Sequence, residues 1–169
     1  FLSFHILFIG DCMNAKDIKV YIEGEGSSMI LLHGWGLDHS MMMPIFDYYK
    51  KAYRVCVFDL PGFKENADID KGLTISDYCF FLEEIIELYH LENPIVIAHS
   101  FGARIAFAFA AKNPCAFLIL TGAAGIKKPR NIKYYMKVFA YKVGKRLNMA
   151  RRMGSVDYQN ASDIMKKTL

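Results

Sequence analysis

The sequence predicts an α/β protein with a mostly parallel sheet covered by helices on both faces. Short apolar runs rich in β-branched residues alternate along the chain with segments of helical periodicity. The runs are continuously apolar, which is typical of strands buried on both faces. Helical segments separate one strand from the next, and this order favours parallel strands under helical layers.

The first half of the chain contains three predicted strands and one short helix. "KVYIEGEGSSMILLHG" holds β runs at 19–23 and 29–33, split by the turn sequence "GEGSS". "MMMPIFDYYKKA" predicts a short helix that tolerates Pro44 in its first turn. "RVCVFDLPG" predicts an apolar strand that ends at Asp59, before a proline–glycine turn.

The segment that begins at Thr74 predicts a long amphipathic helix. Thr74 and Asp77 resemble a capping box with a shorter acid, and apolar residues follow at spacings of three and four. "IVIAHS" then predicts a strand, "FGARIAFAFAAK" a helix and "CAFLILTGAAG" a further strand. Because Ile105, Phe107 and Phe109 make the second helix apolar around most of its circumference, we expect these side chains to be buried.

Charge is distributed unevenly along the 169 residues. Residues 127–169 carry twelve basic and two acidic residues, whereas residues 1–126 carry nine and fifteen, which gives the net charge of +4. A basic segment can mark a nucleic-acid or membrane surface. Here the basic residues are interleaved with a helical apolar stripe, which favours a solvated helix face or one whose acidic complement lies elsewhere in the protein. We therefore expect no nucleic-acid partner. Because no segment approaches about 20 continuous apolar residues, we also expect no stable membrane anchor.

The first twelve residues, "FLSFHILFIGDC", lack the charged start of a secretory signal. Their apolar run of about ten residues is too short to span a bilayer. They are either a clipped signal or anchor, or residues translated upstream of a start at Met13, and the polar "NAKD" after Met13 favours the second. The four cysteines stand far apart without a C-x-x-C pair, and two of them lie in apolar runs where a buried thiol behaves as a small hydrophobic residue. This favours reduced thiols and a cytoplasmic protein; the cysteines are Cys12, Cys56, Cys79 and Cys115, with Cys56 and Cys79 in the apolar runs.

Unusual residues follow three of the predicted strands. Catalytic sites of open parallel sheets form at the carboxyl ends of the strands. A nucleophilic serine needs a projecting hydroxyl, a base and two N–H donors that face the oxyanion. Ser100 lies at a strand-to-helix turn between Ala98 and Gly102, which is the pattern G-x-S-x-G with alanine in the first position. The three strand ends are "HGWG" at 33–36, "DLPG" at 59–62 and "HSFG" at 99–102.

Taken in order, "LLHGWG", "FDLPGF" and "VIAHSFGAR" resemble the α/β-hydrolase superfamily, in its serine hydrolase form with a helical cap. The resemblance covers Met13 to about Gly125. It implies that Ser100 is the nucleophile and that the backbone N–H groups of Phe101 and Trp35 form the oxyanion hole. It implies a small-molecule acyl substrate, no cofactor and no metal. The residues that support the motifs are His33, Gly34, Gly36 and Gly102.

The catalytic triad of that superfamily runs in the order serine, acid, histidine, but no histidine follows Ser100. We expect His33 to shape its loop, His90 to be structural and His99 to be a bystander in the turn. For His39 we expect exposure to solvent, with a position facing the pocket as the alternative. The simplest explanation is an N-terminal portion that lacks the last strands, with the acid and the histidine. A catalytically dead or rewired relative is the alternative.

The resulting expectation is a hydrolase of esters, thioesters or similar acyl bonds. Acyl transfer, carbon–carbon bond hydrolysis and a non-catalytic binding module are alternatives. We expect a leader at 1–12, the N-terminal part of the core at 13–126 and the start of a helical cap at 127–169. The 169-residue chain is expected to be inactive without the acid and the histidine. It is also expected to be poorly stable, because "AFLILTG" would be an unpaired apolar edge strand. The sequence does not predict the oligomeric state.

Overall fold

The computed structural model describes residues 15–66, 69, 72–123, 132, 135, 136 and 139. Within this part of the chain there are five strands and three α-helices. The strands are β1 (Val20–Glu23), β2 (Ser28–Leu32), β3 (Arg54–Phe58), β4 (Ile95–His99) and β5 (Phe117–Thr121). The helices are α1 (Met43–Tyr49), α2 (Ile75–Leu88) and α3 (Ser100–Ala110).

The five strands form one sheet in the order β1-β3-β2-β4-β5. β1 pairs antiparallel with β3, and every other pair is parallel. The prediction of a mostly parallel sheet is therefore confirmed. Because β2, β3 and β4 are parallel neighbours, their carboxyl ends lie side by side at the same end of the strands. This brings together the three segments that the sequence marks as unusual.

Both faces of the central strands β2 and β3 are buried, as their continuous apolar runs predict. Successive residues of a strand point to opposite faces, so β2 contributes to two separate clusters. Ile30 and Leu32 pack in the larger cluster with residues of α2 and α3, such as Leu82 and Ile105. Met29 and Leu31 of β2 pack on the other face with Phe46 of α1. Helices on both faces are thus confirmed.

Two details of the helices test the sequence analysis. The capping box at the start of α2 is confirmed, because Thr74 and Asp77 bond to each other's backbone N–H. The prediction that α3 is buried all round is wrong at Phe107, which is 66% exposed, although Ile105 and Phe109 are buried. Phe107 is not part of the hydrophobic core, because it lies on the solvent-facing side of α3.

β5 lies at one edge of the described sheet. Phe117 and Ile119 are exposed on one of its faces, whereas Leu118 and Leu120 pack towards the larger cluster. The four described residues of the predicted cap start at 127–169 are also exposed; they are Ile132, Tyr135, Met136 and Phe139. The predicted leader, and the rest of the predicted cap, lie outside the described residues. No described helix has the length and apolar character needed to span a membrane.

Candidate active site

Ser100 is the first residue of α3 and follows directly on β4. Its φ is +48°, in the left-handed region, while His99 before it is extended. This conformation costs a non-glycine residue about 1–2 kcal/mol. Strain of this kind persists where the surrounding structure enforces it, and it is concentrated at functional sites. A sharp strand-to-helix turn is the geometry that exposes the hydroxyl of a nucleophilic serine, and this role of Ser100 stays a prediction.

Gly102 allows α3 to approach the end of β2. A Cβ atom on Gly102 would lie 2.5 Å from the carbonyl oxygen of His33 and 2.8 Å from the Cβ of Leu32. The Gly102 N–H donates to that same His33 carbonyl at 3.1 Å. A side chain at position 102 would therefore separate the turn at Ser100 from the segment after β2. The requirement for a small residue at this position of the motif is therefore steric.

The segment 33–36 lies beside Ser100. A Cβ on Gly34 would be 3.4 Å from the Cβ of Ser100, and Gly36 has a φ of +68° that favours glycine. The Trp35 ring packs edge-on against Phe101, with ring centroids 5.0 Å apart. The structure thus brings Ser100 together with both predicted oxyanion donors, Trp35 and Phe101. Their catalytic roles stay predictions.

The buried His33 joins the segment after β2 to the segment after β3. Its Nε2 accepts a hydrogen bond from the Leu60 N–H at 2.8 Å, so the proton of the neutral ring is on Nδ1. Nδ1 donates to the Gly34 carbonyl oxygen at 2.8 Å. Burial lowers the pKa of His33 below its ordinary value. The expected loop-shaping role therefore has a geometric basis, in a neutral imidazole.

This pKa direction predicts acid sensitivity. Below pH about 6.5 the unfolded chain protonates His33 and the folded chain does not. The stability that neutral His33 contributes is present above that pH. It declines as the pH falls, by up to about 1.4 kcal/mol per pH unit. We expect His33→Gln to weaken this dependence, measured as urea unfolding free energy between pH 5 and pH 7.5. Equal slopes in the two proteins would contradict the prediction.

Asp59 is the hydrogen-bonding centre of the region. Its buried carboxylate accepts from the His39 backbone N–H at 2.6 Å, from His39 Nδ1 at 2.9 Å and from the Glu65 N–H at 3.2 Å. Its carbonyl accepts from Asn66 Nδ2 at 2.5 Å. The expectation that His39 is exposed to solvent is wrong, because its side chain is 18% exposed and packed on β1. The polar residues after Gly62 also gain a role, since Glu65 and Asn66 complete this network.

One group of candidate metal ligands lies here within the described part of the chain. Ligand atoms of Asp38, His39 and Asp59 lie within 4.8 Å of one another. Asp38 already accepts from the Ser40 N–H and hydroxyl, and its other oxygen is 3.2 Å from the Lys64 ammonium. The carboxylate oxygens of Asp38 and Asp59 are thus all engaged by donors of the protein.

His99 has a partner that the sequence did not indicate. Its Nδ1 lies 3.0 Å from the hydroxyl of Thr121, which in turn lies 3.4 Å from the Ala98 carbonyl. The ring therefore joins the end of β4 to the end of β5. This bond directs Nδ1 towards β5, and the expectation that His99 is a bystander in the turn stays a prediction.

Comparisons with known proteins point to one family. A model of the family described as "alpha/beta hydrolase fold" matches residues 28–148. The chain is 25% identical over 101 residues to (E)-2-((N-methylformamido)methylene)succinate hydrolase of Acinetobacter baylyi, covering 60% of this chain and 38% of that protein. It is 45% identical over 40 residues to a pimeloyl-[acyl-carrier protein] methyl ester esterase of Legionella pneumophila, covering 24% of this chain and 17% of that protein.

Solved structures agree with this assignment. A thermophilic esterase from Thermogutta terrifontis superimposes with a TM-score of 0.58 at 29% identity, over 81% of this chain and 49% of that one. The chain thus spans half or less of the length of these relatives. The family model covers most of the described sheet, the segment 33–36, the Asp59 network and the turn at Ser100. The chain belongs to the α/β-hydrolase fold family.

Proposed function

We propose that the protein is a serine hydrolase that cleaves an ester, thioester or similar acyl bond through an acyl-enzyme on Ser100. The observation that carries the proposal is the strained turn. Ser100 has a φ of +48° at the start of α3, directly beside Gly34. A fold that only needed a helix after β4 would gain stability from glycine at this position. The retained strain is explained by a hydroxyl that must project towards a substrate.

In the proposed reaction, the Ser100 hydroxyl attacks the acyl carbon and gives its proton to a general base. The carbonyl oxygen becomes an oxyanion that accepts hydrogen bonds from the backbone N–H groups of Trp35 and Phe101. The tetrahedral intermediate then expels the alcohol or thiol, which takes up the proton. Water releases the acid by the same steps. Donors fixed in advance are worth about 3–4 kcal/mol each in such reactions.

The general base and its acid are proposed to lie beyond the described residues. Both ring nitrogens of His33 are bonded to backbone groups, and no histidine of the described part of the chain is hydrogen-bonded to Ser100. The names of two relatives, an esterase of a methyl ester and a succinate-derivative hydrolase, support an acyl substrate. The free thiols of three described cysteines support a cytoplasmic location; they are Cys56, Cys79 and Cys115.

The test expresses the natural reading frame that contains these residues, as wild type and as Ser100→Ala. We expect the wild type to hydrolyse p-nitrophenyl butyrate and the variant to be slower by at least about 10³-fold in kcat. A fluorophosphonate should label the wild type at Ser100 and leave the variant unlabelled. Arg104→Ala, an exposed change on the same helix, is the control for general damage. An active, labelled Ser100→Ala protein would disprove the proposal.

The 169-residue chain provides a second arm. We expect no turnover and no stoichiometric labelling, because no histidine follows Ser100 in these residues and no described histidine is hydrogen-bonded to Ser100. Rapid labelling at Ser100 in this chain would show that one of its histidines acts as a base. It would support the nucleophile and overturn the assignment of the base to residues outside the described part.

A further inference from the structure

An imidazole group anchors each end of the segment that carries Trp35. At its start, His33 Nε2 accepts from the Leu60 N–H at 2.8 Å. At its end, His39 Nδ1 donates to the Asp59 carboxylate at 2.9 Å. Asp59 and Leu60 are consecutive residues directly after β3. Both anchors therefore hold the same short piece of backbone. We call residues 34–38, between the two histidines, the oxyanion loop.

The His39 contact is well enclosed for a loop residue. The Asp59 side chain is 1% exposed, and the same oxygen also accepts from the His39 backbone N–H. The Tyr21 ring of β1 stacks on the imidazole, with centroids 4.7 Å apart and planes inclined by 27°. Stacking fixes the plane of the ring, and the carboxylate fixes its rotation within that plane. A carboxylate oxygen only accepts, so His39 carries a proton on Nδ1.

We propose that His39 is a positioning residue of the oxyanion loop, and that its bond to Asp59 keeps the Trp35 amide beside Ser100. The consequence of this positioning for catalysis rests on the proposed function. Its effect on how far the loop opens does not, because loop opening is measured in the absence of substrate. Hydrogen bonds to a charged group are stronger than those between neutral groups. The bond from His39 to the Asp59 carboxylate is of the first kind, whereas the backbone bond within the loop, from the Leu37 N–H to the Gly34 carbonyl, is neutral and 3.3 Å long.

Two probes report on this loop alone. Trp35 is the only tryptophan of the chain, so the intrinsic tryptophan fluorescence comes from the loop. The Leu37 amide is hydrogen-bonded across the loop, so its exchange with solvent measures loop opening. Neither probe requires catalysis. Failure of the hydrolase test would therefore leave the result of this experiment intact, and Ser100→Ala should behave as wild type in both measurements.

The experiment compares two substitutions in the full chain. His39→Phe keeps a flat ring against Tyr21 but removes the donor, whereas His39→Asn keeps an N–H donor near the position of Nδ1. We expect His39→Phe to speed exchange of the Leu37 amide about tenfold, and to raise acrylamide quenching of Trp35 about twofold. His39→Asn should restore most of the protection. His90→Asn, at an exposed left-handed position, is the matched control and should change neither probe.

Unchanged Leu37 exchange in a folded His39→Phe protein would overturn the proposal. Equal exchange in His39→Asn and His39→Phe would also overturn it, because the donor would then be irrelevant. If His39→Phe does not fold, the wild type decides through long-range ¹H–¹⁵N spectra of its imidazoles. A proton on Nδ1 of His39 supports the bond to Asp59, and a ring protonated only on Nε2 excludes it.

Discussion

Gly102→Ala is expected to destabilise the protein by about 3 kcal/mol and to displace the turn at Ser100. The added Cβ would lie 2.5 Å from the His33 carbonyl oxygen, which is backbone and has no rotamer to change. Relief requires α3 to move away from β2. This movement would also break the Gly102 N–H bond to the same carbonyl. Urea unfolding monitored by circular dichroism measures the loss of stability.

Gly34→Ala is the matched control for this substitution. Its Cβ would meet the ends of side chains, the Cδ2 of His99 at 3.1 Å and the Cδ1 of Leu37 at 3.2 Å. Side chains can move by a few tenths of an ångström at low cost, so we expect a loss of less than about 1.5 kcal/mol. If Gly34→Ala were less stable than Gly102→Ala, the contact at Gly102 between α3 and the end of β2 would not be tighter than the contacts around Gly34.

Asp59→Ala is expected to cost about 3 kcal/mol in the free energy of unfolding. The substitution leaves the backbone N–H groups of His39 and Glu65 without their acceptor, in a region where the carboxylate is 1% exposed. A buried donor without a partner costs its full desolvation penalty. It also releases the His39 imidazole. Both stability and the fluorescence of Trp35 should change, which chemical denaturation and emission spectra will measure.

Asp59→Asn separates shape from charge. Asparagine fills the same volume and keeps one oxygen that can accept from His39, but its amide group would face the Glu65 N–H, donor against donor. We expect an intermediate loss of about 1–2 kcal/mol. If Asp59→Ala and Asp59→Asn were both within 0.5 kcal/mol of wild type, a magnitude usual for simple surface changes, the network would not be a centre of stability.

Local sequence determined the elements and their ends. The capping box at Thr74 involves residues three apart, so the helix start could be predicted from the sequence. β2 and β3 are buried on both faces, and a strand of this kind needs apolar residues at consecutive positions. The three segments at the strand ends could be assigned to one site because parallel neighbours end at the same edge.

Contacts between distant segments were not predictable. His39 and Asp59 are twenty residues apart, and their bond depends on the pairing of β2 with β3, which brings the ends of the two strands together. His99 meets Thr121 only because β5 pairs with β4 in parallel. No local pattern distinguishes an exposed loop histidine from one that lies against a buried carboxylate. Phe107 shows the converse, an apolar residue on a helix face that the described fold leaves exposed.

By itself, the sequence predicted the fold class, which depends on residue types at short and regular spacing. The family and the candidate nucleophile followed from the resemblance that its three motifs carry. Only the tertiary structure decided how the site is held: the left-handed Ser100, the steric need for Gly102 and the two imidazole anchors of the oxyanion loop. The physical reason is range. Periodicity and capping act over a few residues, whereas hydrogen bonds between loops depend on strand order and register, which the whole sheet determines.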